Sequence, residues 1–154
     1  MLISDILKVE AVKVIGGCTS KKRLFHDLGV LAESCYGLDP ESVIEALLDR
    51  ENLGPTGVGH GIALPHARLT GIDAVRGMFL RLEKPLNFDA VDRQPIDLVF
   101  ALLAPEDAGV DHLKALAVVS RTLRDEGFCA KLRANSDPNT LHTLLTEVQA
   151  TQAA

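Results

Sequence analysis

One segment of the chain, residues 54–66, combines an unusual density of glycine with a histidine that directly follows a proline. Four of the twelve glycines fall between positions 54 and 61, and the segment ends in Leu64-Pro65-His66. Glycines at this density allow positive φ angles and let another group approach the backbone closely. Because proline lacks an N–H and tends to end a strand, we expect His66 to be displayed where a strand breaks off, at the rim of a sheet.

A histidine displayed in this way can act as a nucleophile toward phosphorus. A neutral imidazole, whose reference pKa is about 6.5, can attack without a separate base because no proton has to leave first. The protein must then supply positive charge for the phosphoryl oxygens. Arg50 is one candidate because its guanidinium matches phosphate geometry. His112 is another because it lies in the first turn of a predicted helix, where the helix dipole favours an anion. The loop residues that could support the phosphate are Thr56, Gly57, Gly59 and Gly61.

Other interpretations of the segment remain open at this point. The glycine spacing in residues 57–61 does not match the G-x-G-x-x-G loop of dinucleotide-binding proteins, and no G-K-[S/T] follows, which argues against both common nucleotide loops. The segment could also be a plain loop with His66 as a partly buried polar residue. A metal-dependent hydrolase built on His60, His66 and His112 is a weaker hypothesis, because the three lack tight metal-ligand spacing. His60 itself is either a variable loop side chain or a titratable group that tunes His66.

Helical periodicity on both sides of the segment predicts the elements that position it. A first helix follows a cap at Thr19 or Ser20. Asp39 and Pro40 predict the start of a second, which ends between residues 50 and 54. Further helices start near residues 111 and 137, with a short helical turn over residues 127–134 between them. The inward residues that we expect are Leu24, Leu28, Leu31 and Cys35 in the first helix; Val43, Ile44, Leu47 and Leu48 in the second; Leu113, Leu116, Ala117, Ser120 and Leu123 in the third; and Leu141, Leu144, Leu145 and Val148 in the last.

Three stretches predict strands. Residues 12–15 form a weak candidate, and residues 78–83 alternate in the manner of a half-exposed strand. Residues 98–103 are continuously apolar, which is typical of a central strand covered on both faces. The fold class that we expect is therefore α/β, a single-domain sandwich of a mixed β-sheet flanked by helices. We expect one domain over residues 1–154, with a core of about 3–148 and a short flexible C-terminal tail.

Composition excludes several classes of function. The net charge of −5 and the pI of about 5.5 leave no basic face for nucleic acid. No apolar run approaches the roughly 20 residues that a membrane-spanning helix needs. The first residues show no basic region followed by an apolar stretch, so we expect no secretory signal and a cytoplasmic location.

Several ordered segments of the chain resemble the IIA proteins of the phosphotransferase system, in the fructose/mannitol/nitrogen superfamily. Residues 57–66, with glycine at alternate positions followed by Ile-Ala-Leu-Pro-His, are similar to the active-site signature of that family. The similarity includes Arg50-Glu51-Asn52 before the loop and residues 86–92, 94–103 and 112–113 after it. Matches in this order extend over nearly the whole chain.

The resemblance implies the IIA fold of the fructose/mannitol type and specific roles for three residues. In that family the histidine after Leu-Pro carries the phosphoryl group, which corresponds to His66. The family's arginine, sixteen residues earlier, corresponds to Arg50, and its second active-site histidine to His112. The implied donor is a small histidine phosphocarrier protein, itself charged from phosphoenolpyruvate through enzyme I. No metal or organic cofactor is implied.

The resemblance leaves the branch of the family open. The Ser20-Lys21-Lys22 run and residues 87–92 favour the nitrogen-related group, whose members regulate other proteins, such as transporters or kinases, through their phosphorylation state. Sugar-specific members instead pass the phosphoryl group to a IIB domain. A protein-binding module that has lost phosphotransfer is a hypothesis of another class, and the retention of all three site residues argues against it. The sequence does not indicate an oligomeric state.

Overall fold

The computed structural model describes residues 1–153 of the chain, with side chains described for residues 1–147. Helices and strands alternate along most of its length. The helices are α1 (Ile3–Ile6), α2 (Lys21–Tyr36), α3 (Pro40–Leu53), α4 (Val110–Leu123), α5 (Glu126–Arg133) and α6 (Pro138–Ala153). The strands are β1 (Leu7–Ile15), β2 (Gly57–Gly59), β3 (Ile62–Ala63), β4 (His66–Leu69), β5 (Arg76–Leu86) and β6 (Ile96–Pro105).

The strands form one mixed sheet, in the order β1-β5-β6-β3-β2, with β4 paired to β6 beyond β3. Strand β1 runs parallel to β5, β5 is antiparallel to β6, and both β3 and β4 run parallel to β6. Helices flank this sheet, which confirms the predicted α/β sandwich. The sheet buries β6 almost completely, as its continuous apolar sequence predicts.

The predicted helix starts are confirmed by their capping contacts. The Ser20 hydroxyl accepts a hydrogen bond from the Arg23 N–H at 3.0 Å, and the Asp39 carboxylate accepts one from the Ser42 N–H at 3.1 Å. Pro40 occupies the first helical position of α3, where its missing N–H leaves no bond unmade. The predicted turn over residues 127–134 is a helix of two turns, α5.

The helices pack in two groups that meet near the edge formed by β4. Helices α2 and α3 pack on each other, and α3 also contacts β4; helices α1, α4, α5 and α6 form the second group, with α4 against β6 and α6 against β1. Strand β4 has its only described partner in β6, so its other side is open to the helices. The site described below lies where α3 and α4 approach this edge strand.

The predicted inward face of α4 is correct for Leu123 and in part for Leu116, which packs half-buried against the core, but it is wrong for Leu113 and Ala117. Leu113 is 63% exposed, and Ala117 is exposed as well. The residues that face inward are instead His112, Ala115, Val118, Val119, Thr122 and Leu123. Both stripes repeat at helical spacing, so periodicity alone cannot choose between them. The observed rotation buries His112 and leaves Leu113 on the surface.

Strand β5 also differs from its predicted half-exposed pattern. Met78, Phe79 and Leu80 are all buried, because β5 lies inside the sheet between β1 and β6 with helices on its faces. Among the described residues no helix is both long and apolar enough to cross a bilayer. Val148 and the tail expected after it fall outside the described side chains.

Candidate active site

The strand paired along β6 is interrupted where the sequence reads Leu64-Pro65. Strand β3 ends with Ala63 opposite Val99, and β4 begins with His66 opposite Leu102, both in parallel register with β6. Between them the Pro65 carbonyl accepts a hydrogen bond from the Leu102 N–H at 2.9 Å. We expected the strand to end before His66, but it resumes there. Pro65 therefore interrupts the strand beside β6 locally, and His66 is the first residue after the break.

The break gives the Leu64 carbonyl a partner outside the sheet. His66 Nδ1 lies 2.9 Å from the Leu64 carbonyl oxygen. Because a carbonyl oxygen can only accept a hydrogen bond, Nδ1 must carry the proton in this contact. In the neutral ring the lone pair then resides on Nε2. The ring is half-buried, and this burial lowers the pKa of His66, while the bond to Leu64 opposes the effect. His66 is thus held neutral with Nε2 unprotonated.

His112 packs against His66 with its ring edge-on. The two ring centroids are 5.4 Å apart, and the planes are at 88°. His112 is only 5% exposed, and within the described part of the chain neither of its ring nitrogens has a hydrogen-bond partner. Burial lowers the pKa of His112 to about 4, and the charges of His66 and Arg68 act in the same direction. Buried polar atoms normally have partners, and the two ring nitrogens are therefore available to a group that enters the cleft.

Both histidines line one cleft of about 530 Å³ between α3, β4 and α4. Arg50, in the last turn of α3, lines it too, and its Nη1 donates to the Gly54 carbonyl at 3.0 Å. Its positive charge contributes to the lowered pKa of His66. The structure therefore brings His66, His112 and Arg50 together, although they are far apart in the sequence.

Arg68 is a fourth residue of this cleft, and the sequence reasoning missed it. Its side chain is exposed, and its Nη1 donates to the Glu106 carbonyl at 3.0 Å. The sequence does carry a signal for Arg68. On a strand, residues two apart point to the same side, so Arg68 lies on the same side of β4 as His66. The expected strand end before His66 left Arg68 outside this alternation.

The glycines of the loop serve close packing inside the protein and do not line this cleft. A Cβ on Gly57 would lie 2.7 Å from the Ala90 Cβ, and a Cβ on Gly61 would lie 2.6 Å from Arg133 Nη2. Gly61 also has a φ of +80°, which disfavours other residues. The groups that approach the glycine backbone are therefore side chains of the same chain. Gly59, at a φ of +100°, lies beside Asp92.

Thr56 also points away from the cleft and is 3% exposed. Its backbone N–H donates to the Glu51 carboxylate at 3.2 Å, and its hydroxyl donates to the same carboxylate. The Glu51 carboxylate is itself paired with Lys21 Nζ at 2.7 Å. The N–H and the hydroxyl of Thr56 are both engaged in this way, so any support that Thr56 gives to the site is indirect.

His60 lies at a different cleft, of about 560 Å³, lined also by Leu64 and Arg133. Its side chain is 80% exposed, and Nδ1 is 3.7 Å from the Glu126 carboxylate. The hypothesis that His60 tunes His66 therefore gains no support from the geometry. In the part of the chain that the structure describes, no three His, Cys, Asp or Glu side chains are grouped to hold a metal ion.

Comparison with known proteins gives concordant matches. The model of the family described as "Phosphoenolpyruvate-dependent sugar phosphotransferase system, EIIA 2" matches residues 5–148. A nitrogen regulatory protein of Bradyrhizobium diazoefficiens is 44% identical over 153 residues, which is 99% of this chain and all of that protein.

Two solved structures have the same fold. The crystal structure of the nitrogen regulatory protein IIA-Ntr from Neisseria meningitidis has a TM-score of 0.86 at 36% identity, covering 94% of this chain and 99% of that one. The mannitol IIA protein of Escherichia coli superposes with a TM-score of 0.74, covering 90% and 97% of the two chains. At 23% identity this second match shows the fold alone.

Proposed function

The chain belongs to the EIIA 2 family of the phosphoenolpyruvate-dependent sugar phosphotransferase system, and on this basis we propose that Nε2 of His66 accepts a phosphoryl group from a histidine phosphocarrier protein. The phosphorylated and free forms then differ in their binding to regulated proteins. We propose that the chain belongs to the nitrogen-related branch of the family, because several of its relatives are named nitrogen regulatory proteins. The regulated partners in this proposal are nitrogen- or potassium-related proteins such as transporters or kinases.

The observation that carries the proposal is the hydrogen bond from His66 Nδ1 to the Leu64 carbonyl. It leaves the Nε2 lone pair free in a cleft lined by Arg50 and Arg68. A purely structural histidine would have both ring nitrogens engaged or protonated. Burial also keeps the ring neutral, and only the neutral ring is a nucleophile.

In the proposed step the Nε2 lone pair attacks the phosphorus of the donor's phosphohistidine. The donor's P–N bond breaks, and its imidazole leaves with that electron pair. Positive charge develops on the His66 ring while its Nδ1–H stays bonded to the Leu64 carbonyl, so this bond becomes a charge-assisted one. No proton has to move, provided that each ring keeps its N–H.

Two arginines and the second histidine are suited to bind the transferred oxygens. Arg50 uses one nitrogen on the Gly54 carbonyl, and within the described residues its other N–H groups make no hydrogen bond. The ring nitrogen of His112 that carries the proton can donate to a phosphoryl oxygen, because neither nitrogen is bonded to another of the described residues. Phosphoryl transfer depends mainly on such positioning and charge.

The rim of the cleft is apolar, which suits a protein donor. Leu53 is 84% exposed and Leu113 is 63% exposed, and both line the cleft that contains His66. Apolar side chains at this exposure are typical of contact surfaces when they cluster. Phosphorylation would add about −1.5 to −2 charges beside them, which would change the affinity for any partner that covers this rim.

Incubation with enzyme I, histidine phosphocarrier protein and phosphoenolpyruvate tests the proposal. We expect one phosphate per chain, acid-labile and base-stable, located on His66 by mass spectrometry and absent from His66→Ala. Because His66 is on the rim, circular dichroism of this variant should match the native protein. A chain that is never phosphorylated would support the pure binding module. Rapid transfer onward to a IIB domain would support the sugar-specific alternative.

A further inference from the structure

Glu51 is a buried charged residue to which the proposed mechanism assigns no part. It follows Arg50 in the last turn of α3, and its side chain is 4% exposed. An unpaired carboxylate in such a place would be very costly. The cost is offset by three contacts: Lys21 Nζ at 2.7 Å, the Thr56 N–H at 3.2 Å and the Thr56 hydroxyl.

These contacts continue, residue by residue, to the nucleophile. Thr56, held by Glu51, accepts a hydrogen bond on its carbonyl oxygen from the Leu64 N–H at 2.9 Å. Leu64 in turn accepts the His66 Nδ1–H on its own carbonyl oxygen at 2.9 Å. A continuous path of hydrogen bonds therefore joins the buried carboxylate to the imidazole.

The path passes through the place where the strand beside β6 is interrupted. Leu64 lies between β3 and β4, and the neighbouring bond to β6 is made by the Pro65 carbonyl. The backbone of Leu64 is thus fixed by the bond to Thr56 on one side and by the proline ring on the other. The orientation of the Leu64 carbonyl decides which nitrogen of His66 carries the proton.

We propose that Glu51 is a positioning residue for His66: through Thr56 and Leu64 it selects the Nδ1–H tautomer, in which Nε2 is free. Lys21 contributes to this positioning, because its ammonium pairs with the Glu51 carboxylate at 2.7 Å and holds it in place. The Lys21 ammonium also lies 4.5 Å from the centre of the Phe88 ring, so its own position is fixed by packing. The role of this tautomer in phosphoryl transfer rests on the proposed function. The tautomer itself follows from the hydrogen bond between His66 Nδ1 and the Leu64 carbonyl.

The charge of Glu51 also reaches His66 directly. It raises the pKa of His66, against the larger lowering by burial. Removal of the charge, and loosening of the bond to Leu64, should both lower the pKa of His66. A titration therefore gives a second readout of the same connection.

The experiment uses the full chain with ¹⁵N-labelled histidine, and it compares three variants with the native protein. Glu51→Gln removes the charge, Thr56→Val removes the hydroxyl, and Lys21→Met removes the counter-ion at a side chain that is 27% exposed.

The matched control is Glu126→Gln, at a carboxylate 83% exposed on α5. Thr56→Ser restores a hydroxyl and serves as the rescue. Backbone spectra and circular dichroism identify any variant that fails to fold. If Glu51→Gln and Thr56→Val fail to fold, Lys21→Met still provides the test.

We expect the native His66 to show the Nδ1–H tautomer in its ring ¹⁵N shifts, and the three variants to gain the Nε2–H tautomer with a lower His66 pKa. Phosphoryl transfer should fall by about 10-fold, by analogy with the loss of a group that orients a metal-bound histidine, and should return in Thr56→Ser. The proposal would be overturned if the folded variants kept the Nδ1–H tautomer of His66. It would also be overturned if the native protein itself showed the Nε2–H tautomer, or if the tautomer shifted in a variant while the transfer rate stayed unchanged. If His66 is never phosphorylated but its tautomer follows Glu51, the proposed function is wrong and the positioning role stands.

Discussion

The rings of His66 and His112 meet edge to face, with centroids 5.4 Å apart, and the His112 nitrogens are buried without a partner in the described part of the chain. No hydrogen bond joins the two rings among the described residues, because neither His112 nitrogen has a partner and His66 Nδ1 is bonded to the Leu64 carbonyl. The pair is better suited to share a ligand. Each of the following predictions depends on this arrangement or on the elements that create it.

Replacement of His112 by asparagine should slow phosphoryl transfer to His66 by about 100-fold, at the lower end of the loss that follows removal of one positioned donor. The acceptor itself is intact in this variant, so the stoichiometry of phosphorylation should still approach one per chain. Rapid-quench kinetics measure the rate. His26→Asn, at an exposed position on α2, is the control and should transfer at the native rate. Equal rates in both variants would exclude a role for His112 in transfer.

Arg50→Ala should slow transfer and raise the pKa of His66. The Arg50 charge lowers that pKa in the native protein, so without it the acid limb of the rate profile, where the ring becomes protonated, moves to higher pH. An NMR titration of His66 measures the shift directly. Arg121→Ala, on the exposed face at the end of α4, should leave both quantities unchanged. A His66 pKa that stays constant or falls in Arg50→Ala contradicts the assigned charge effect.

Arg68→Ala should also slow transfer, and Arg68→Lys should recover part of the rate because it retains the charge without the planar fork. The effect should be smaller than that of Arg50, since the Arg68 side chain is exposed and screened by solvent. Raising the salt concentration should reduce the difference between native protein and Arg68→Ala. A salt-independent difference would indicate that Arg68 acts through packing and not through charge.

Acidification should destabilise the fold through His112. The unfolded chain carries this ring with its ordinary pKa of about 6.5, whereas the folded chain holds the pKa at about 4. Between these values the unfolded state binds more protons, so the free energy of unfolding falls as the pH drops from about 6.5 to about 4. The contribution at neutral pH is on the order of 3 kcal/mol.

Urea unfolding at pH 7 and pH 5 measures this dependence. His66, whose pKa is also lowered, contributes with the same sign. The comparison of native protein with His112→Asn isolates the share of His112: the variant should lose less stability between the two pH values. An identical loss in both proteins would show that the His112 ring is not held neutral by the fold.

Gly61→Ala should destabilise the protein more than Gly71→Ala, by about 1–2 kcal/mol. Both glycines have a φ near +80°, so both substitutions strain the backbone alike. Only at Gly61 would the new Cβ meet neighbours, at 2.6 Å from Arg133 Nη2 and 2.9 Å from the Asp97 carboxylate. Since Arg133 is fixed by its ion pair with Asp97 at 2.9 Å, it cannot move away freely. Thermal unfolding measures the difference, and equal melting temperatures would contradict it.

The same variant separates two roles for the glycine loop. If the loop glycines serve internal packing, folded Gly61→Ala should still accept phosphate on His66 at a rate close to the native one. If they hold the phosphate itself, the rate should collapse even where the fold survives. The contacts of Gly57 and Gly61 with Ala90 and Arg133 favour the first outcome.

Local chemistry made much of this protein predictable from its sequence. Asp39 and Pro40 specify the start of α3 by side-chain capping and a fixed φ, and both effects act within one turn. The apolar run in β6 specifies a central strand because only a strand covered on both faces tolerates it. Pro65 interrupts the strand beside β6 by lacking an N–H. Pro65 and the glycines before it, together with the family resemblance of residues 57–66, indicated His66 as the candidate reactive residue before any tertiary contact was known.

Tertiary structure decided which face of α4 lies inward, a choice that the helical periodicity of the sequence leaves open. Two stripes of α4 fit the helical repeat, and packing on the sheet selected the one that buries His112 and exposes Leu113. The partners of the loop glycines, Ala90 and Arg133, lie far along the chain, so their close approach could not be read from spacing. The path from Glu51 to His66 likewise exists only once β3 and β4 are paired to β6. The sequence by itself pointed to His66 as the candidate reactive residue, through the segment around Pro65 and the resemblance that it carries. The fold alone decided which ring nitrogen is hydrogen-bonded and which charges line the cleft, because those depend on contacts between distant segments.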